Sequence, residues 1–189
     1  AAREDVFKIL AKESLSIHEK LIVILDMGSK IQQCINTDEY DNIKSVVNDY
    51  LKEGIAHTLD ETRNLSDSGQ FEDISLQQGI RQILYPYEEM EVLNPEWEVI
   101  LKDIIDSLFE QMSDEEYNIL NEEFGTYMVS RAYEYRQLLE YLVFRYFAKS
   151  IYDYDFLGKC QMLVTNFFVI RQMDIIRWLD NHREYSFKG

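Results

Sequence analysis

Two prolines and seven glycines among 189 residues are too few for the many tight turns of an all-β chain. Two cysteines, Cys34 and Cys160, supply no framework of spaced pairs and no C-x-x-C, so a secreted disulfide scaffold is excluded and a reducing compartment fits. The N-terminus, Ala1-Ala2-Arg3-Glu4-Asp5, lacks the basic and then apolar order of a secretory signal. The longest charge-free apolar run, Cys160 to Ile170, falls short of the roughly 20 residues that span a bilayer. A cytoplasmic protein with no membrane contact is expected. Bases are scarce as well: 19 Lys and Arg face 35 Asp and Glu, a net charge of −16. That argues against nucleic acid, whose backbone is bound by neutralising phosphates. Gly-rich phosphate loops, H-E-x-x-H and G-x-S-x-G are all missing, and with them the commonest signatures of phosphate, zinc and acyl-transfer chemistry.

What is present is helical. At 46% hydrophobic and 13% aromatic the chain can bury a sizeable core. Leu138 to Ile151 contains only Glu140, Arg145, Lys149 and Ser150 as clearly polar positions, and after Tyr152-Asp153-Tyr154-Asp155 a second apolar run covers Phe156 to Leu179. Both are too long for strands and read as a helical hairpin, apolar nearly all round and therefore buried by other helices. Ser16-Ile17-His18-Glu19 and Ser113-Asp114-Glu115-Glu116 have capping-box form. Gly28, inside the helix that follows Ser16, predicts close packing against a neighbour. The next helix, from Tyr40 to Leu59, is expected to bend or break at Gly54. Residues 66–70 read as a flexible loop and Ile74 to Tyr85 as a helix ended or kinked by Pro86. Asn94-Pro95 opens the cleanest amphipathic helix, Trp97 to Met112. A further helix runs from Ser113 to Gly125, and the tail from His182 is polar. The expectation is one all-α domain over residues 1–189, about eight helices around the buried C-terminal hairpin.

Charge is unevenly spread. Between Pro86 and Glu123 thirteen acids face one base, Lys102, whereas from Arg131 to Lys188 nine bases face seven acids. The acidic block reads either as a solvated face or as a surface that attracts a basic partner or a lysine-bearing substrate. Glu53, His57, Asp60 and Glu61 share a helix face and read as an exposed polar face with i, i+4 pairs, or with ligands from elsewhere as a metal site. Cys34 and Cys160 sit among apolar residues, where cysteine behaves as a small buried hydrophobe. Arg145, Arg171 and Asn166 interrupt core-like runs. Either the arginine stems pack with heads reaching acids such as Asp174, or the three line a polar cleft. Thirteen tyrosines, seven of them between Tyr127 and Tyr154, are wall material or an aromatic groove for a peptide or lysine chain. Tyr141, Arg145, Tyr146, Asn166 and Arg171 are therefore the candidate substrate or partner groove.

Leu139-Glu140-Tyr141-Leu142-Val143-Phe144-Arg145-Tyr146-Phe147 and Leu163-Val164-Thr165-Asn166-Phe167-Phe168-Val169-Ile170-Arg171 resemble the C-terminal half of flagellin lysine-N-methylases, the FliB-type proteins of motile bacteria. Leu21-Ile22-Val23-Ile24-Leu25-Asp26 and Asp38-Glu39-Tyr40-Asp41-Asn42-Ile43 resemble the helical region that precedes it. The resemblance implies S-adenosylmethionine as methyl donor, flagellin lysines as substrate, and a cysteine-rich N-terminal segment holding an iron–sulfur or other metal cluster. The chain opens on Ala1 and carries no such segment, so it is expected to be the C-terminal part of a longer protein, in contact with that missing part and inactive alone. Glu140 stands where the family run is expected to carry Asn, and no catalytic residue is carried over. On this reading the domain supports the catalytic part and helps present the protein substrate. The alternative is a non-enzymatic helical interaction module with an acidic docking face.

Overall fold

The computed structural model describes residues 2–69, 74–89 and 95–184. Its α-helices in chain order are α1 (Ala2–Leu10), α2 (Ile17–Asn36), α3 (Ile43–Asp49), α4 (Ile55–Asp67), α5 (Leu76–Glu89), α6 (Pro95–Ile105), α7 (Asp114–Met128), α8 (Ala132–Tyr146), α9 (Ser150–Asp153) and α10 (Phe156–Asp180). Short 3-10 and π turns fuse several of these end to end, leaving seven continuous helices and no strand among the described residues. The chain is all-α, and the count is close to the eight expected.

The chain divides into two compact units, residues 1–71 with 131–164, and residues 72–130 with 165–189. In the first, α1 packs on α8, α2 and α3, while α2 also packs on α3 and α4. Val6, Ile9 and Leu10 of α1 and Leu21, Val23, Ile24, Met27 and Ile31 of α2 are buried, the i, i+3, i+4 stripe that drives such packing. Gly28 is where α2 meets α10: a Cβ there would lie 2.7 Å from the Cys160 Sγ. The Ser16 hydroxyl accepts from the Glu19 N–H (3.2 Å) while the Glu19 carboxylate accepts from the Ser16 N–H (2.8 Å), so the predicted capping box starts α2.

Helices α3 and α4 are one rod, joined by a π turn over Tyr50–Gly54. The chain is neither broken nor freed at Gly54. The Tyr50 ring lies over it, 2.5 Å from where a Cβ would stand, so only glycine leaves room for the ring. The segment expected to be loose at residues 66–70 is helical to Asp67, with Gly69 in the left-handed region (φ 70°), and Gln70 lies outside the described residues.

Two helices continue past residues expected to end or kink them. Helix α5 passes through Pro86 and runs to Glu89, although proline removes one backbone hydrogen bond. Helix α7 passes through Gly125 to Met128, and a 3-10 turn over Val129–Arg131 leads into α8. In the second unit α5 packs on α6 and α7. Helix α7 meets the second half of α10 through Tyr117 with Gln172 and Phe124 with Trp178. The second predicted capping box is formed, Glu116 N–H to Ser113 Oγ (3.3 Å) and Ser113 N–H to Glu116 Oε2 (2.9 Å). Asn94 lies outside the described residues; Pro95 is the first helical residue of α6, as expected.

The two C-terminal helices differ from each other. Helix α10 is buried along most of its length. Helix α8 buries Tyr135, Leu139, Leu142 and Val143 but leaves Tyr133, Tyr141 and Phe144 exposed, so it is apolar all round yet covered on one side only.

Candidate functional site

The candidate groove residues separate between the units. Tyr141, Arg145 and Tyr146 lie on α8 in the first, and Asn166 and Arg171 on α10 in the second. Tyr141 is 58% exposed. The Tyr146 ring already has cations beside it, the Arg145 guanidinium at 6.0 Å and the Lys149 ammonium at 5.6 Å from its centroid. Arg171 is 6% exposed and reaches across to α7. Its guanidinium donates to the Asn121 Oδ1 and to the Asn121 carbonyl (3.2 Å) and lies 5.3 Å from the Phe124 ring centroid. Asp174, one turn along, stands 3.8 Å from Arg177. A Cβ at Gly125 would be in ordinary contact with the Arg171 Nη2, at 3.9 Å. Arg171 is thus a packed cation with polar and aromatic partners on α7. Beside it the Tyr117 hydroxyl donates to the Gln172 Oε1 (2.9 Å), and burial pushes the Tyr117 phenol up to about 12, Arg171 and Gln172 acting the other way.

A second polar assembly, which no sequence pattern advertises, lies between α2 and the π-bulged rod. The Thr58 hydroxyl donates to Asp26 Oδ2 (2.7 Å), Lys30 donates to both Asp26 oxygens (2.7 and 2.6 Å), and the Tyr50 hydroxyl stands 3.1 Å from both the Val23 carbonyl and the Thr58 Oγ1. Burial opposes the Asp26 charge, but the donors from Lys30 and Thr58 outweigh it and hold the carboxyl below its ordinary value. Burial drives the Tyr50 phenol well above its usual range. Fully paired, this network positions helices. The Glu53 to Glu61 face is a surface feature: His57 Nδ1 lies 3.1 Å from Glu61 Oε2, and Asp60 pairs with Arg63 at 3.0 Å.

A concavity opens in the second unit. A cleft of about 370 Å³ is lined by Tyr87 and Glu88 at the end of α5 and by Glu98, Leu101, Lys102, Ile105, Asp106 and Glu110. The α6 members recur at i, i+3, i+4 and i+7, so one helix face supplies floor and rim. The π turn over Asp106–Glu110 continues that face, closing with a hydrogen bond from the Gln111 N–H to the Asp106 carbonyl (3.1 Å). Buried Leu101 and Ile105 form the floor. Tyr87 meets Trp97 edge-on at 6.1 Å, and burial raises its phenol. Four carboxylates and one ammonium line the cleft. Arg81 binds Glu88, whereas Glu98, Asp106 and Glu110 carry no ion pair among the described residues. Such a lining favours a cation on an alkyl stem: apolar floor for the methylenes, carboxylates for the charge. The acidic block between Pro86 and Glu123 pointed to this region; that α5 closes it was not readable from the sequence.

Fold and cleft define a class: an acidic, all-α chain with a concavity that suits cationic side chains. The chain belongs to the family described as the FliB lysine N-methylase C-terminal domain, which it matches over residues 3–188. No curated protein and no solved structure matches it. No helix among the described residues is long and apolar enough to cross a membrane.

The residues present do not fit a metal cluster. Cys34 and Cys160 are both buried, burial and then the Asp155 charge push the Cys160 thiol up to about 12, and no three His, Cys, Asp or Glu side chains gather at metal distance among the described residues.

Proposed function

We propose that the chain serves a flagellin lysine-N-methylase of the cytoplasm as the helical domain that supports the catalytic part and helps present the protein substrate. The observation that carries this is the acidic cleft on α5 and α6 within a chain of the FliB lysine N-methylase family. A flagellin lysine entering the cleft would lay its methylenes on Leu101 and Ile105 and bring its ammonium to Glu98, Asp106 and Glu110. Carboxylates keep that amine protonated, and a protonated amine has no lone pair for a methyl group. The cleft therefore suits capture of basic segments and not methyl transfer itself. The methyl donor and any metal cluster belong, on this reading, to a part of the parent protein outside these residues.

Full-length methylase and the isolated chain, each incubated with flagellin and S-adenosylmethionine labelled in its methyl group, test the assignment. The parent should label flagellin and the chain should not; labelling by the chain alone overturns the supporting role. In the parent, Glu98→Gln with Asp106→Asn and Glu110→Gln should raise the KM for flagellin about tenfold at low salt and leave kcat within about twofold, since exposed pairs contribute about 0.2–1 kcal/mol each.

A further inference from the structure

The acidic cleft has an aromatic member that capture of a plain ammonium does not call for. Tyr87, near the end of α5, lines it together with the Leu101 and Ile105 floor and the carboxylates of Glu98, Asp106 and Glu110. The Tyr87 ring is half-buried and packs edge-on against Trp97, in the first turn of α6, at 6.1 Å between centroids. Pairs in that arrangement attract, so the ring is held in place before any ligand arrives. The cleft also contains a cation of its own. Lys102 makes no ion pair among the described residues and competes with an incoming ammonium for the same carboxylates. A ligand that gains from charge alone loses most to that competition; one that also gains from the ring and the floor loses less.

Methylation of a lysine Nε supplies that second gain. It keeps the positive charge, so the carboxylates still attract the group. It replaces N–H groups with apolar surface, which costs less to strip of water and more favourably meets an aromatic ring and aliphatic side chains. At about 370 Å³ the cleft is of the size that holds a small organic ligand, so a lysine head enlarged by methyl groups is accommodated. We propose that the cleft is selective for lysine already methylated on Nε, once or twice, with Tyr87 as the residue that recognises the methyl groups. This rests on the reading that the cleft captures lysine side chains, and it names which lysines are held best. A monomethyl or dimethyl ammonium keeps at least one N–H to donate to a carboxylate while its methyl groups lie on the ring and the Leu101 side chain. The domain then retains a protein chain on which methylation has begun and keeps the remaining lysines of that chain within reach of the catalytic part.

Calorimetric titration of the chain at about 50 mM salt tests this, with the blocked peptide Ala-Ala-Lys-Ala-Ala either unmodified or dimethylated on the lysine Nε. The dimethylated peptide should bind about fivefold tighter. Tyr87→Leu, which keeps apolar bulk and removes the ring, should bring the two peptides within about twofold of each other, whereas Tyr87→Phe should keep the preference. Far-UV circular dichroism should be the same for both variants and the unaltered chain. Glu98→Gln with Asp106→Asn and Glu110→Gln should weaken both peptides alike. Equal binding of the two peptides, tighter binding of the unmodified one, or a preference that survives Tyr87→Leu overturns the proposal. If the acid variant still weakens that binding, capture of lysine by the cleft stands without the selectivity. Absence of binding by both peptides, or binding indifferent to the acid variant, overturns the two together. The comparison of peptides on the unaltered chain decides the selectivity even where a variant fails to fold.

Discussion

A methyl group added at Gly28 would meet a buried sulfur at 2.7 Å and its Cβ at 3.2 Å. Alanine gains about 1 kcal/mol of helix propensity over glycine, and overpacking a filled site costs about 1–3 kcal/mol. Gly28→Ala should therefore lower stability by about 1 kcal/mol in urea unfolding, yet be neutral or stabilising in a Cys160→Ala background, where the sulfur is gone; equal effects in both backgrounds would refute the contact. The Cys160 thiol, pushed up to about 12 by burial, should stay unalkylated at pH 8 until the protein unfolds, since the thiolate is the nucleophile. Asp26 has a pH signature with a definite sign. Its folded carboxyl lies below the ordinary 3.8, so its contribution is complete above that value and is lost as pH falls through the folded one. The stability difference between wild type and Asp26→Asn should be constant from pH 6 to pH 5 and shrink towards pH 2.5; a difference flat to pH 2.5 would contradict the pairing with Lys30 and Thr58. At this scale Gly28 was legible because a helix-interior glycine asks for a neighbour. Arg171 was legible as an oddity but not in its answer: its acceptor, Asn121, lies fifty residues away and carries no charge to advertise it.

Elements obeyed local rules wherever the partners were local. Both capping boxes formed because cap and carboxylate lie three residues apart. Gly125 misled for the opposite reason, and at Pro86 the helix does not end. Packing of α5 on α6 and α7, and of α7 on α10, keeps those helices going where isolated peptides would stop. The N-terminus of α10 shows the same limit. Asp155 accepts from the Gly158 N–H (2.8 Å), a cap a reader of the sequence can find, but Gln32 of α2 accepts from the Phe156 and Leu157 N–H groups (2.9 and 3.1 Å) and donates to the Tyr154 carbonyl (3.0 Å). Gln32→Leu, which leaves two donors without that acceptor, should cost about 1–3 kcal/mol in urea unfolding, more than the about 1 kcal/mol expected for Ser113→Ala. An effect of Gln32→Leu no larger than that of an exposed substitution would sink the clamp. Helix α8 is an element-scale lesson too: fourteen largely apolar residues suggested burial on all sides, whereas the second apolar side faces outwards.

For the molecule as a whole, composition read correctly as all-α, and the family resemblance in the Leu139–Phe147 and Leu163–Arg171 runs was correct over nearly the full chain. The functional groove was less legible. The five groove candidates divide between two units, and Glu88, Glu98, Asp106 and Glu110 of the acidic block line the cleft beside α5 and α6. Clusters of charge are visible in a sequence; the second helix that turns a charged face into a cleft is not. Binding of flagellin to the isolated chain, followed calorimetrically from 50 to about 300 mM salt, is the most direct test of that cleft. Binding should weaken as salt rises, fall about tenfold in the Glu98→Gln, Asp106→Asn, Glu110→Gln variant, and be accompanied by no methyl transfer. Binding that ignores both salt and the triple variant would contradict the cleft's role.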